Sequence, residues 1–331
     1  MVRRDRFSLV GKVTDCHLYE GDGTRPIGAE NVRVRHESRR VRLPGEVRAW
    51  RREVEEEEAR KQAAGEPYRW NNPRFAVEGL TVSRTHAGEE PQVTLSLVDA
   101  DYYDHLATAR NLERPMADGT TLRGRYLEEA DPVAAPSWMT CSFGVNVAVE
   151  TGRDGKMLFA RRSARAGGPN ASRWNSSANE GLSAVHDLPS EGRISLHEVA
   201  YRALREELAV HRGDRVDLEL LGFGLDVRNN QWAAFFRAVL DDLGEEDLRA
   251  RWSRGVADKW EHDEFAFVPN EPEPVLDFIH RTEAWAPVAP ALFYLALVRG
   301  AVRARGGDPE GRADVDDAER RVLDRHRSAT R

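Results

Sequence analysis

Between Leu196 and Val210 the sequence commits to one shape. Apolar residues recur at 196, 199, 200, 203, 204 and 208, the spacing that builds one broad apolar face on an α-helix. At about 100° per residue, Glu198, Arg202, Arg205 and Glu206 share the opposite side, while Glu207 falls on the line of Ala200 and Ala203, at the edge of the apolar face. A carboxylate at that edge is costly unless it is paired or holds a metal. Taken alone, the stretch is an amphipathic surface helix laced by Glu198, Arg202 and Glu206.

The flanking segments give this helix a setting. Cys141–Glu150 is strand-like, Arg153-Asp154-Gly155-Lys156 is a turn and Met157–Arg161 is a return strand, since Asp-Gly accepts the positive φ of a tight hairpin. A Gly/Asn/Ser-rich loop covers residues 164–192. Two strands, Leu218–Val227 and Trp232–Leu240, follow the helix, then the segment Phe265–Pro269 and a closing helix, Ala289–Arg303. The order of elements predicts an α/β domain over 138–303. Upstream, short strands at Leu9–Val13 and Val32–His36, a helix over Pro44–Gln62 and β-like runs at 75–84 and 91–99 predict a smaller α+β domain over 1–137. The polar segment Ala87 to Pro91 joins those two runs as a hairpin loop, and a helix is expected over Asp101–Leu112. The charged run Glu55–Lys61 carries i,i+4 acid–base pairs, as expected of a solvated helix. Residues 304–331 are charged and hold no large apolar cluster, so a frayed helix or a disordered tail is expected.

Bulk properties narrow the function. A net charge of −7 over 331 residues argues against a nucleic-acid coat, which needs a basic face. Two cysteines, Cys16 and Cys141, cannot make a disulfide framework, and zinc spacing is absent. The opening Met-Val-Arg-Arg-Asp-Arg-Phe is not followed by an apolar signal core. The longest apolar run, Ala289–Val298, is about half the length of a membrane span. A cytoplasmic protein with no membrane or nucleic-acid partner is expected.

Arg202-Ala203-Leu204-Arg205-Glu206-Glu207-Leu208-Ala209-Val210 resembles the end of a Nudix box, whose pattern is Arg-Glu-aliphatic-x-Glu-Glu-x-Gly-aliphatic. Alanine stands for the first glutamate at 203 and for the glycine at 209. The opening Gly-x5-Glu of the box is not intact. Gly181 is the candidate glycine, and Glu191 or Asp187 the candidate replacement for the acid. Three further segments, Asn71-Asn72-Pro73-Arg74-Phe75, Leu95–Thr108 and Leu158–Ser163, are similar to those of the UDP-glucose/UDP-galactose diphosphatases, a Nudix group with its own N-terminal domain. Its Pro-Gly-Gly-type loop is replaced here by Asn179-Glu180-Gly181-Leu182.

The resemblance implies a mixed-sheet α/β/α sandwich that cleaves a UDP-sugar to UMP and a sugar 1-phosphate with Mg²⁺ or Mn²⁺. Glu206, Glu207 and a late acid such as Glu261 or Glu264 would hold the cation, since magnesium takes hard oxygen ligands. Arg202 would keep the helix acids in place, and water would be the nucleophile. Arg161 or Arg162 would clamp a phosphate, or the pair would simply reach solvent at a strand end. Trp174 and Trp232 would stack on uracil or sugar, or serve as core packing. His186 and His197 have no ligand-spaced partner and read as surface or capping residues. The missing carboxylate at Ala203 implies a second outcome, a Nudix-fold module that binds or senses a nucleotide without turning it over. A third is an interaction protein whose N-terminal domain is the partner surface. Relatives of the fold often pair, so a homodimer is open.

Overall fold

The computed structural model describes residues 6–85, 89–128, 134–165, 170–188, 193–257 and 261–329. Ala87 and Gly88 of the expected hairpin loop, the candidate acid Glu191, and Asp258, Lys259 and Trp260 beside Glu261 lie outside the described residues.

The first part of the chain runs β1 (Ser8–Leu9), β2 (Lys12–Val13), β3 (Cys16–Glu20), β4 (Val32–Arg40), α1 (Gly45–Ala63), β5 (Pro73–Arg84), β6 (Pro91–Asp101), α2 (Tyr102–Ala109) and α3 (Leu122–Tyr126). The second runs β7 (Phe143–Thr151), β8 (Lys156–Arg162), β9 (Trp174–Asn175), β10 (Ala178–Gly181), α4 (Ala184–Asp187), α5 (Leu196–Leu208), β11 (Val216–Asp226) and β12 (Gln231–Leu240). It ends with α6 (Glu245–Ser253), β13 (His262–Pro269), α7 (Pro272–Arg281), α8 (Ala289–Ala304) and α9 (Gly311–Ala329).

The fold is α+β with mixed sheets. The largest sheet has eight strands, in the order β13-β8-β7-β12-β11-β3, with β10 added to β7 and β9 to β8. Among the described residues only β7 and β12 run parallel in it, in register from Phe143 opposite Trp232 to Thr151 opposite Leu240. A central strand of this kind is covered on both faces. Val145, Val147 and Val149 face a core shared with Val199, Ala200, Ala203 and Leu204 of α5. Ala148, Met157, Phe159 and Phe235 face a second core built by α7, α8 and α9.

A three-stranded sheet, β4-β6-β5, packs into the α5 side. The period of two in β6 accounts for this: Val93, Leu95 and Leu97 face the shared core, while Val98 and Ala100 face the other way. The core therefore runs across the boundary expected near residue 137. The strand β3 crosses it too, pairing antiparallel with β11 at the edge of the large sheet.

Two expectations need correction. Residues 304–331 are not a loose tail over their length: α9 buries Val315, Ala318 and Val322 against α7 and α8. The opening hairpin joins them, with the Val10 amide donating to Glu319 and the Lys12 ammonium donating to the carbonyls of Ile279 and Thr282. Nor is the acidic run of α1 solvated all round. Glu58 is buried, accepting from the Arg69 amide at 2.6 Å and from Lys61 at 3.1 Å, while Arg51–Glu55 and Lys61–Glu57 form the expected surface pairs. Among the described residues no helix is long and apolar enough to cross a membrane.

Candidate ligand-binding site

The β7–β8 hairpin turns at Asp154-Gly155, with Gly155 at φ +60°, and then forks. The two strands pair only from Val149–Leu158 to Thr151–Lys156. Beyond that, β10 takes over the edge of β7, from Val147 opposite Ala178 to Gly144 opposite Gly181, and β9 takes over the edge of β8. Ser177 sits in the fork, its hydroxyl accepting from the Val149 amide at 2.8 Å and donating to the Leu158 carbonyl.

Above the fork, β7 changes character. On the face where Ala148 meets the α8 core, the preceding positions are Ser142, Gly144 and Asn146. A covered strand normally fills such positions with hydrocarbon. These three instead form part of the wall of a cavity of about 330 Å³. Arg162, Asn175, Asn179 and Glu180 line it from β8, β9 and β10, Asp226 and Gln231 from the β11–β12 end, and Val288 from the start of α8. Glu261 lines it from the residue before β13, and Arg74, Tyr102 and His105 reach in from the N-terminal part. Several of the polar side chains are buried: Asn146, Asn175 and Asp226 are each under 10% exposed. Burial pushes Asp226 up to about 6, against hydrogen bonds from Asn229 that pull it down, and holds the His105 imidazole neutral down to about 4.

The helix acids lie beside this cavity without sharing one pocket. Glu207 is buried, and Oε1 accepts from the Asn179 amide at 3.1 Å. Oε2 lies 3.3 Å from His262 Nε2 but in poor hydrogen-bond geometry, so both atoms are left without a true partner. Burial, and then the charge of Glu261, push the Glu207 carboxyl well above its ordinary range. Burial, and then Arg162, hold His262 down to about 4. Both groups thus favour their neutral forms. Glu206 turns outward to Arg205, 2.6 Å away. Glu261 pairs with Arg162 at 2.8 Å.

Arg202 departs from the helical-wheel expectation. It is buried, not solvent-facing, and it pairs with neither Glu198 nor Glu206. Its guanidinium meets both oxygens of Asp187 and donates to the Gly181 carbonyl at 3.1 Å, with Glu180 at 3.5 Å. The two residues read from sequence as remnants of the box opening, Asp187 and Gly181, therefore meet at this arginine. α5 is capped by the Ser195 hydroxyl and ends on Ala209 in the left-handed region, φ 55°. That is the conformation for which the motif's glycine is suited.

Among the other expected site residues, Arg161 points outward to Glu264 at 3.0 Å and to the Ser172 carbonyl. Trp174 packs against Phe278 and Trp285, and Trp232 meets Tyr19 edge-on. His197 packs edge-on against Phe236. Of the expected residues, Arg162, Glu261, Trp232 and Gly181 line the cavity. Arg74, Asn146, Asn175, Asn179 and Gln231 were not singled out as site residues; the polar alternation Ser142-x-Gly144-x-Asn146 is the sequence signal that could have found part of this set. A larger open cleft of about 810 Å³ lies between the loop after β3 and the β5–β6 hairpin; its Glu20 is already held by Arg84 at 2.8 Å.

Glu206, Glu207 and Glu261, the expected ligands of a Mg²⁺ or Mn²⁺ ion, each have a different neighbour in this structure. Among the described residues no three Asp, Glu, His or Cys side chains gather as a ligand set. Glu206 diverges from Glu207, and a guanidinium already holds Glu261. Position 203 is sealed in the α5 core. The arrangement defines a polar cavity in a mixed α+β fold. No protein-family model matches the chain, and no curated protein matches it significantly.

Proposed function

We propose that this chain is a Nudix-type α/β module that binds a nucleoside diphosphate-linked compound, a UDP-sugar first among them, without hydrolysing it. The fold elements support the Nudix part: a hairpin, a loop, an amphipathic helix and two strands in that order, with helices on both faces of a mixed sheet. One observation carries the non-hydrolytic part. The acids of α5 diverge, with Glu207 buried between Asn179 and His262, Glu206 turned outward to Arg205 and Ala203 in hydrocarbon, while the polar cavity is built by other residues. Such a cavity, with amides for hydrogen bonding and arginine in its wall for a phosphate, suits a polar anionic ligand.

Titration calorimetry with UDP-glucose, together with an assay for UMP release in Mg²⁺ or Mn²⁺, tests this. Saturable binding without UMP release is the expected result; absence of binding would end it. A second reading, a hydrolase giving UMP and sugar 1-phosphate, draws support from Glu207, whose buried Oε2 lacks a hydrogen-bond partner among the described residues. Cation-dependent UMP release that is lost in Glu207→Gln would select it.

A further inference from the structure

Arg74 is the second residue of β5, and an isolated bridge to Ser183 ties its backbone to the segment after β10. Its guanidinium lies over the Tyr102 ring, 5.7 Å from the centroid, and against Gly181. A Cβ at position 181 would stand 2.0 Å from Arg74 Nη1, so glycine there is what admits the arginine. Arg74 Nε is buried and has no hydrogen-bond partner among the described residues. The nearby Glu180 favours the charge, yet burial outweighs it and lowers the guanidinium below its ordinary value. A cation held this way is costly until an anion meets it.

The second arginine of the cavity is differently placed, because Arg162 is already paired with Glu261 at 2.8 Å. Asn179 Nδ2, like Arg74 Nε, is a buried donor without an acceptor. Both residues belong to the cavity wall, and two donors in need of acceptors match an oxygen-rich anion. The wall also carries Ser142, Asn146, Asn175 and Gln231, with the carboxyls of Glu180, Asp226 and Glu261 beside them. Amides and hydroxyls donate and accept at once, as sugar hydroxyls do. The aromatic rings that border the cavity are already packed: Trp232 is 2% exposed and edge-on to Tyr19, and Tyr102 lies between Arg74 and His105 contacts. At about 330 Å³ the space is at the small end for ligand cavities.

We propose that Arg74 is the phosphate-recognising residue of this cavity, and that the part of the ligand it takes in is a phosphorylated polyhydroxy group, a sugar phosphate, with any base left outside. This rests on the reading of the cavity as the ligand site, and it makes the N-terminal part of the chain a contributor to specificity.

The test is calorimetry with glucose 1-phosphate, glucose, uridine and UDP-glucose on the wild type, Arg74→Gln and Arg74→Lys, with an unliganded melting curve for each. The wild type should bind glucose 1-phosphate, and uridine should bind at least about tenfold more weakly. Arg74→Gln should lose about tenfold or more for glucose 1-phosphate, with Arg74→Lys in between. Its unliganded melting temperature should hold or rise, because an uncompensated buried charge has been removed. A purely structural ion pair would lower it. Equal binding of glucose 1-phosphate by wild type and Arg74→Gln overturns the proposal, as does uridine binding as tight as the sugar phosphate. If UDP-glucose binds but Arg74→Gln leaves it unchanged, this proposal falls and the nucleotide reading stands. If glucose 1-phosphate binds through Arg74 and UDP-glucose does not, the nucleotide reading falls and this one stands.

Discussion

Asp187 meets Arg202 with both carboxylate oxygens, latching the acid-bearing helix α5 to the short helix that precedes it. The pair is buried on both sides, with side-chain exposures of 8% and 6%. Removing one partner leaves an uncompensated interior charge. Asp187→Ala should therefore cost about 3 kcal/mol or more, read from urea denaturation. The double variant Asp187→Leu/Arg202→Met should recover much of that loss, since apolar pairs often replace buried ion pairs without penalty. A loss under about 0.5 kcal/mol in the single variant, typical of an exposed pair, would refute the latch.

Asp226 gives a pH dependence. Its carboxyl titrates near 3.8 when free and is pushed up to about 6 in the fold, chiefly by burial. The folded protein therefore holds this proton where the unfolded chain has released it. The resulting stability is complete below about pH 3.8 and drains away as pH rises to about 6. Asp226→Asn cannot titrate, so its stability relative to wild type should rise across that window by on the order of 3 kcal/mol. Denaturation curves at pH 4 and pH 7 check it; a difference between the proteins that stays constant with pH would contradict the assignment.

Ala209 closes α5 at φ 55°, a conformation that costs a residue with a Cβ about 1 kcal/mol. Glycine adopts it freely but loses more chain entropy on folding. Ala209→Gly should consequently stabilise the protein by about 0.5 kcal/mol. Destabilisation by that substitution would mean that the methyl group's packing outweighs the backbone strain.

Position 203 allows the sharpest separation of the two functional readings. Ala203 is fully buried in the core that also holds Val199, Ala200 and Leu204. Restoring the motif's glutamate there should cost about 3 kcal/mol or more, through crowding and a stranded charge. Added Mg²⁺ should not restore the loss in a thermal melt. Rescue by the cation would instead show that positions 203 and 207 can share an ion, in favour of the hydrolase.

The helix α5 was legible because its apolar spacing is local, and the hairpin because Asp154-Gly155 announces its own turn. The last helix was legible in principle: Val315, Ala318 and Val322 recur at helical spacing, but one stripe of three small residues among charges carries little weight without the surface it meets. The pairing of β3 with β11, some 200 residues away, leaves no local trace. The site divides in the same way. Arg162 and Glu261 follow from motif position, and Asn146 from a polar alternation on a covered strand. Arg74 acquires its meaning only when β5 is laid against Gly181, a long-range approach that neither segment encodes alone.

The Val10–Glu319 hydrogen bond and the seating of the first hairpin on α7 and α9 bear on how the molecule is made. A ribosome releases the hairpin first and the helix that secures it some 300 residues later. Until then Leu9 and Val10, both almost fully inaccessible in the finished fold, have no partner surface to settle on. Closure of that corner is thus a late event in biogenesis, and the emerging chain has reason to need a chaperone's cover in the interval.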